Sequence, residues 1–219
     1  SRPDMDLKAV VKEASQYVKQ GGRLVFACEN ALGLCFLSGA VHDEDESAFT
    51  KGELEAAFRE AGLGTVEFYY PMPEYKRAQT VYSDRYLPGK GDIPHVTAVY
   101  DRQRWACIHE DEISDKLVQE KAFGLFANAY LAVASKEQEP FDTIFAKYNR
   151  TRKPQFQIRT RILEENGKRY VEKAALTEAS GAHIGSMEEK HEKLSKVNPE
   201  VRVLEPHFSE DKQAVRFEF

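Results

Sequence analysis

Leu7, Val10, Val11, Ala14, Tyr17 and Val18 recur at helical spacing, which predicts a helix over Asp6–Lys19. Gly21-Gly22 stops it. Leu24–Ala27 is apolar at every position, the pattern of a central parallel strand covered on both faces. Glu29–Ala48 reads as a loop with the acidic run Asp43-Glu44-Asp45-Glu46. Thr50-Lys51-Gly52-Glu53 has the spacing of a capping box. It opens a helix with Leu54, Ala57, Phe58 and Ala61 on one face, and Gly62 caps that helix. Thr65–Tyr70 reads as a strand. Pro71–Pro94 is rich in Tyr, Pro and Gly and reads as a long irregular connection. Ile113–Lys121 reads as a polar helix. Phe126–Ala134 reads as a second β segment, placed to pair antiparallel with Thr65–Tyr70.

Past the linker Gln138-Glu139-Pro140 the pattern changes. Phe141–Tyr148 and Phe156–Leu163 alternate like half-exposed strands. Glu165-Asn166-Gly167 is a hairpin turn signal, with Arg169–Ala175 as the returning strand. Thr177–Lys196 reads as a helix ended by Asn198-Pro199, and Val201–Leu204 with Ala214–Phe219 reads as a last hairpin. The expected organisation is an α/β domain over residues 1–137 and a small α+β domain over 138–219. The chain lacks an initiator Met and stops within the strand pattern Arg216-Phe217-Glu218-Phe219, as a piece of a longer protein would.

Composition narrows the function classes. A 42% hydrophobic and 31% charged content over 219 residues is that of a folded globular chain. The net charge of −5 gives no general drive toward nucleic acid or an anionic membrane. No apolar run approaches the roughly 20 residues of a membrane-spanning helix, and no signal peptide is visible. Cys28, Cys35 and Cys107 fit no zinc spacing. Cys28 and Cys35, among apolar residues, read as buried free thiols, and a reducing cytoplasm follows. No metal site is predicted, since His42 is the only nitrogen ligand beside the acidic run.

The chemistry concentrates in two places. Glu29 and Asn30 end the apolar strand Arg23–Cys28, where ligands bind in an open α/β sheet. They read either as a base and a hydrogen-bond donor or as caps of loop and helix termini. Tyr69, Tyr70, Tyr75 and Tyr82 crowd the insert with Lys76, Asp84 and Arg85. Aromatic faces with charged neighbours suit a sugar or nucleotide-sugar acceptor. The alternative is that the tyrosines pack the loop onto the sheet, the reading preferred for Tyr69.

The stretches VKQGGRLVFACENALGL, FYYPMPEYK and YSDRYLP, on this order of elements, resemble the C-terminal half of a class I S-adenosylmethionine-dependent methyltransferase. The likeness is to those encoded among bacterial glycosyltransferase and cell-surface polysaccharide proteins, and it covers about residues 4–135. It implies an incomplete Rossmann-like sheet with a reversed last strand, and methyl transfer to a glycan or nucleotide-sugar acceptor. Glu29 and Asn30 then take catalytic roles, and Tyr70, Tyr75, Lys76, Tyr82 and Asp84 bind the acceptor. S-adenosylmethionine is the implied cofactor of the parent protein. The family's glycine-rich turn and acidic ribose ligand are missing from this chain, so the chain alone is not expected to bind it.

Residues 141–219, read as three strands, a helix and two strands, resemble the N-terminal lobe of protein-kinase-like folds. That resemblance implies a nucleotide-binding lysine at Lys173 with Glu188 as its helix partner, and ATP with Mg²⁺ as ligand. No glycine-rich loop is present; Arg150-Thr151-Arg152-Lys153-Pro154 stands there instead. The leading expectation is therefore a fragment of a methyltransferase acting on a cell-surface glycan. Its expected partners are the missing N- and C-terminal domains and a small-molecule or glycan acceptor. A kinase-like nucleotide module and a non-catalytic assembly segment are the alternatives.

Overall fold

Helix α1 (Leu7–Gln16) begins at Asp6, whose carboxylate accepts from the Lys8 and Ala9 amides. Its turn-out at Gly21, with φ +70, leads into strand β1 (Arg23–Asn30). The computed structural model describes residues 6–41, 47–93, 108–137, 141–197 and 203–218. Cys107, the acidic run Asp43–Glu46 and the linker Gln138–Pro140 lie outside them. The chain divides into two units, Ser1–Pro140 and Phe141–Phe219.

In the first unit, one turn of helix, α2 (Leu34–Leu37), and a two-residue strand, β2 (Ala48–Phe49), precede α3 (Lys51–Glu60). The capping box at Thr50 and Glu53 forms as the spacing predicts, and Gly62 takes φ +75 after the last turn. Strand β3 (Thr65–Met72) follows, then β4 (Thr80–Ser83), α4 (Glu110–Gln119), a single turn α5 (Phe123–Phe126) and β5 (Ala129–Ser135). The sheet order is β2-β1-β5-β3-β4. Strand β5 is antiparallel to both neighbours, so β1 and β3 run the same way with a reversed strand between them. The expected pairing of the segments near 65–70 and 126–134 is present, from Thr65↔Ser135 to Tyr69↔Leu131.

Expectations for this unit change at several points, and Glu29–Ala48, expected as a loop, holds the end of β1, α2 and the start of β2. β1 is not covered on both faces: Val25 is 59% exposed and only Cys28 and Asn30 are buried. Its long ladder is antiparallel, and its parallel ladder is the two-residue pairing with β2. Period-two alternation turns Phe26 toward α3, where it meets Phe58 edge-on at 6.2 Å, and turns Arg23, Val25 and Ala27 the other way. The insert after Pro71 is partly regular, because Thr80-Val81-Tyr82-Ser83 is a β-branched and aromatic run that pairs with Tyr69–Met72. Helix α4 starts at Glu110, where Glu110, Asp111 and Glu112 put three acidic side chains in its first turn.

The second unit comprises β6 (Thr143–Tyr148), β7 (Ile158–Glu165), β8 (Lys168–Ala175), α6 (Gly181–Val197), β9 (His207–Phe208) and β10 (Ala214–Glu218). Their sheet order is β6-β7-β8-β10-β9, antiparallel throughout. Asn166 and Gly167 take φ 53 and 76, the backbone the hairpin signal demands. The last hairpin differs from expectation. Val203 and Leu204 are not in a strand, and the partner of β10 is His207–Phe208. The Ser209 hydroxyl binds Asp211, and Lys212 at φ 52 completes a turn that fixes this register. Helix α6 packs on one sheet face through Ile184 and Met187, against Ile158, Ala175, Val215 and Phe217. On the opposite face, burial opposes the charge of Glu172, but Arg161 and Arg216 outweigh it and hold its carboxyl below the ordinary value. Among the described residues no helix is long and apolar enough to cross a membrane.

Candidate functional site

Toward the carboxyl ends of β1 and β3 three side chains meet. Lys51 is the first residue of α3, so the capping box sets where its side chain leaves the helix. Its ammonium lies 4.8 Å from the Phe68 ring centre and 5.6 Å from that of Tyr70. It donates to the Tyr70 hydroxyl at 2.9 Å and to both Asp84 oxygens at 2.8 and 2.9 Å. The Tyr70 hydroxyl donates in turn to Asp84 Oδ1. The Asp84 backbone is tied down by its amide, which donates to Phe68 O.

Tyr70 is fully buried, with Phe123 and Tyr130 edge-on to its ring at 5.6 and 6.1 Å. Burial first, and the Asp84 carboxylate second, drive its phenol far above the ordinary value. It therefore stays protonated and remains a donor to Asp84. A Cβ on Gly124 would stand 2.6 Å from the Tyr70 hydroxyl oxygen, so only glycine fits beside it. The Asp84 side chain is 47% exposed, against 18% for Lys51. The arrangement thus presents one carboxylate to solvent, oriented from behind by an ammonium and a phenol. It can accept a hydrogen bond, and then a proton, from a hydroxyl or amine.

Of the residues expected in the acceptor site, Tyr70 and Asp84 are joined directly. Tyr82 lies beside Tyr70 in register but is 6% exposed, edge-on to Phe123 at 6.1 Å, with its hydroxyl pushed up to about 12 chiefly by burial. It is part of the aromatic packing. Tyr75 and Lys76 sit in the tip joining β3 to β4, with the ammonium 6.0 Å from the Tyr75 ring centre. The length of β4, roughly 13 Å of extended chain, lies between that tip and Asp84.

Glu29 and Asn30 are consecutive strand residues and point to opposite faces of the sheet. They cannot act as a pair at one crevice. Asn30 is fully buried, and its amide group donates to Leu125 O and Ala127 O at 2.8 Å each. Its Oδ1 accepts from the Leu32 amide at 2.9 Å. These bonds tie the end of β1 to the chain entering β5, which is the capping alternative. Cys28, on the same face, is buried and its thiol is pushed up to about 12 by that burial, which leaves it unreactive.

In the second unit the expected pair of Lys173 and Glu188 is not made. Glu188 is exposed and binds Lys212 at 2.8 Å. Ile184 and Met187 take the sheet-facing side of α6, which leaves Glu188 turned toward the β9–β10 turn. Lys173 faces α6, with its ammonium 5.9 Å from the Phe217 ring centre. His183 is edge-on to Phe156 at 5.4 Å. Burial, then Lys190, Arg152 and Lys173, lower its pKa. Among the described residues no group of three His, Cys, Asp or Glu side chains is placed to hold a metal ion.

Lys51 is the site residue that reading the sequence missed. Its only signal is its place just inside a helix start, where it was absorbed into the capping box. Comparison of the chain with protein-family models, with curated proteins and with solved structures finds no match.

Proposed function

We propose that the first unit is the acceptor-side half of an S-adenosylmethionine-dependent methyltransferase acting on a hydroxyl or amine of a cell-surface glycan or nucleotide-sugar. The observation that carries this reading is the reversed strand β5 between the parallel strands β1 and β3. A ligand at such a sheet lies outside the carboxyl ends of the parallel strands, and the Lys51–Tyr70–Asp84 cluster stands toward those ends. The cofactor supplies an electrophilic methyl group, and none of the residues described here makes a glycine-rich cradle for it. What this chain contributes is the acceptor's partner. Asp84 takes the hydroxyl or amine proton as the heteroatom is alkylated, while Lys51 and Tyr70 fix the carboxylate. The test is transfer of a labelled methyl group from S-adenosylmethionine to nucleotide-sugar and glycan acceptors, by the product of the reading frame with its upstream sequence. Transfer is expected there, and calorimetry on the 219-residue chain alone is expected to give no heat with S-adenosylmethionine. A longer product that neither binds the cofactor nor transfers methyl would remove this reading.

A second reading belongs to the second unit, as a nucleotide-binding lobe of the protein-kinase-like kind. It is supported by the strand order β6-β7-β8-β10-β9 with α6 between β8 and β9, and by Lys173 on the helix-facing side of β8. ATP with Mg²⁺ is expected to raise the melting temperature of the wild-type chain, and Lys173→Ala is expected to abolish that rise. An equal rise in both proteins removes the reading.

A further inference from the structure

The face of the second unit's sheet away from α6 carries three arginines around one carboxylate. Arg161, Glu172 and Arg216 are cross-strand neighbours on β7, β8 and β10, and Arg159 is two residues before Arg161 on the same face. Glu172 Oε1 accepts from Arg161 Nε and Nη2 at 3.0 and 2.6 Å and from Arg159 Nη2 at 3.3 Å. Its Oε2 accepts from Arg216 Nε at 3.1 Å. Arg216 Nη1 also reaches Glu165 at 3.3 Å, and Arg161 Nη1 reaches Thr143 Oγ1 at 3.5 Å.

Two features distinguish this cluster from a balanced cross-strand ion network. First, the charges do not cancel. Three guanidinium groups face the carboxylates of Glu172 and Glu165, which leaves one positive charge over. Arg150 adds a further cation at the edge of the face: its guanidinium lies 4.8 Å from the ring centre of Tyr148, the cross-strand partner of Arg159. Second, the Glu172 carboxylate occupies the inner edges of the forks. The Glu172 side chain is 7% exposed, whereas those of Arg161, Arg159 and Arg216 are 28%, 33% and 43% exposed. Three forks that all reach one buried carboxylate stand within a few ångströms of one another. The inner bonds pre-order the three partly exposed side chains, and the Arg159 Nε–H is buried with no hydrogen-bond partner. Guanidinium forks match phosphate as they match carboxylate, and the surplus positive charge favours the more highly charged anion.

We propose that Arg159, Arg161 and Arg216 form a binding site for a phosphate dianion, free or as a phosphate monoester, on the sheet face opposite α6. This site is separate from Lys173, which faces the helix, and from the cluster at Asp84. It does not rest on either reading given above.

The test is an NMR and calorimetric titration of the full 219-residue chain with inorganic phosphate at low salt, repeated with a phosphate monoester. Saturable shifts are expected at Arg159, Arg161, Arg216 and their strand neighbours. Monoester binding tighter than free phosphate identifies an esterified ligand, and equal binding identifies the free ion. The double change Arg161→Gln, Arg216→Gln is expected to weaken binding by about tenfold or more. Glu172→Gln keeps the shape of the buried group and removes its negative charge, so it is expected to tighten binding by a few fold. Lys8→Gln, a loss of one positive charge on the first unit, is expected to change nothing. Absence of saturable shifts on this face, or affinity unchanged in the double variant, overturns the proposal. If the double variant does not fold, Glu172→Gln decides, and unchanged or weaker binding there overturns it.

Discussion

Changing Asp84 to Asn is expected to lower methyl transfer by about 100- to 10,000-fold, the range for loss of a positioned proton acceptor. The substitution keeps the size of the group and leaves an oxygen that can accept from the Tyr70 hydroxyl. It removes the charge that faces Lys51 and the lone pair that takes the acceptor's proton. The fall belongs in kcat, since an amide still hydrogen-bonds a hydroxyl in the ground state; KM is expected to move by no more than a few fold. The fold is expected to survive. The Lys51–Asp84 pair has a half-exposed carboxylate, so its contribution to stability is about 1 kcal/mol or less. Lys51 also keeps its two aromatic faces. Tyr70→Phe, which deletes one donor behind the carboxylate, is expected to cost about tenfold or less and to leave the pH dependence of transfer in place. Steady-state kinetics of the three proteins on one acceptor separates these outcomes. Full activity in Asp84→Asn removes the proton-accepting role and leaves the cluster as a structural tie between α3 and the β3–β4 hairpin.

What the sequence could and could not say about this cluster follows from the range of each interaction. Signals that act within a few residues were legible. Thr50 and Glu53 form their reciprocal cap, Gly62 takes its left-handed conformation, and Asn166-Gly167 turns the hairpin. The antiparallel pairing of β3 with β5 was legible as well, because β5 is an apolar run and β3 opens with an aromatic and β-branched run broken only by Glu67. Lys51 and Asp84 are 33 positions apart, and their contact exists only because the chain doubles back from β3 through β4. Neither residue has a local pattern that announces the other. The same limit explains Lys173 and Glu188. Helical spacing placed Glu188 at the border of the apolar face, but whether it turned to β8 or away depended on Lys212, in a hairpin whose register was itself misplaced. Burial was the other blind spot. Apolar side chains on both faces of β1 predict a covered strand, yet Val25 is 59% exposed. A run of apolar letters states what a face tolerates and not whether a second layer lies on it.

Asn30→Asp is the sharpest test of what holds the carboxyl end of β1. In the native chain the two Asn30 N–H groups point at Leu125 O and Ala127 O, both 2.8 Å away. Aspartate replaces that nitrogen with an oxygen of the same size. At neutral pH a buried carboxylate would then face two carbonyl oxygens at hydrogen-bond distance with no proton between them. The expected loss is roughly 3–5 kcal/mol, the cost of an unpaired buried charge, read as a lower urea midpoint by circular dichroism. The pH dependence has a definite sign. A buried aspartic acid with two acceptors beside it has a folded-state pKa above its unfolded value of about 3.9. Its protonated form restores one of the two lost bonds. The deficit relative to wild type is therefore smallest below about pH 4 and grows as pH rises through the folded-state pKa. Asn30→Leu, which carries no charge, is expected to lose stability without this pH dependence, through loss of the bonds to Ala127 O, to the Leu32 amide and to Leu125 O, of which Leu125 O keeps the Tyr130 hydroxyl as a donor. A protein with Asn30→Asp that is as stable as wild type but inactive would return Asn30 to the catalytic role its position at the strand end suggests. Loss of stability with the stated pH dependence assigns it to the tie between β1 and β5 on which the placement of Tyr130 and Gly124, and through them Tyr70, depends.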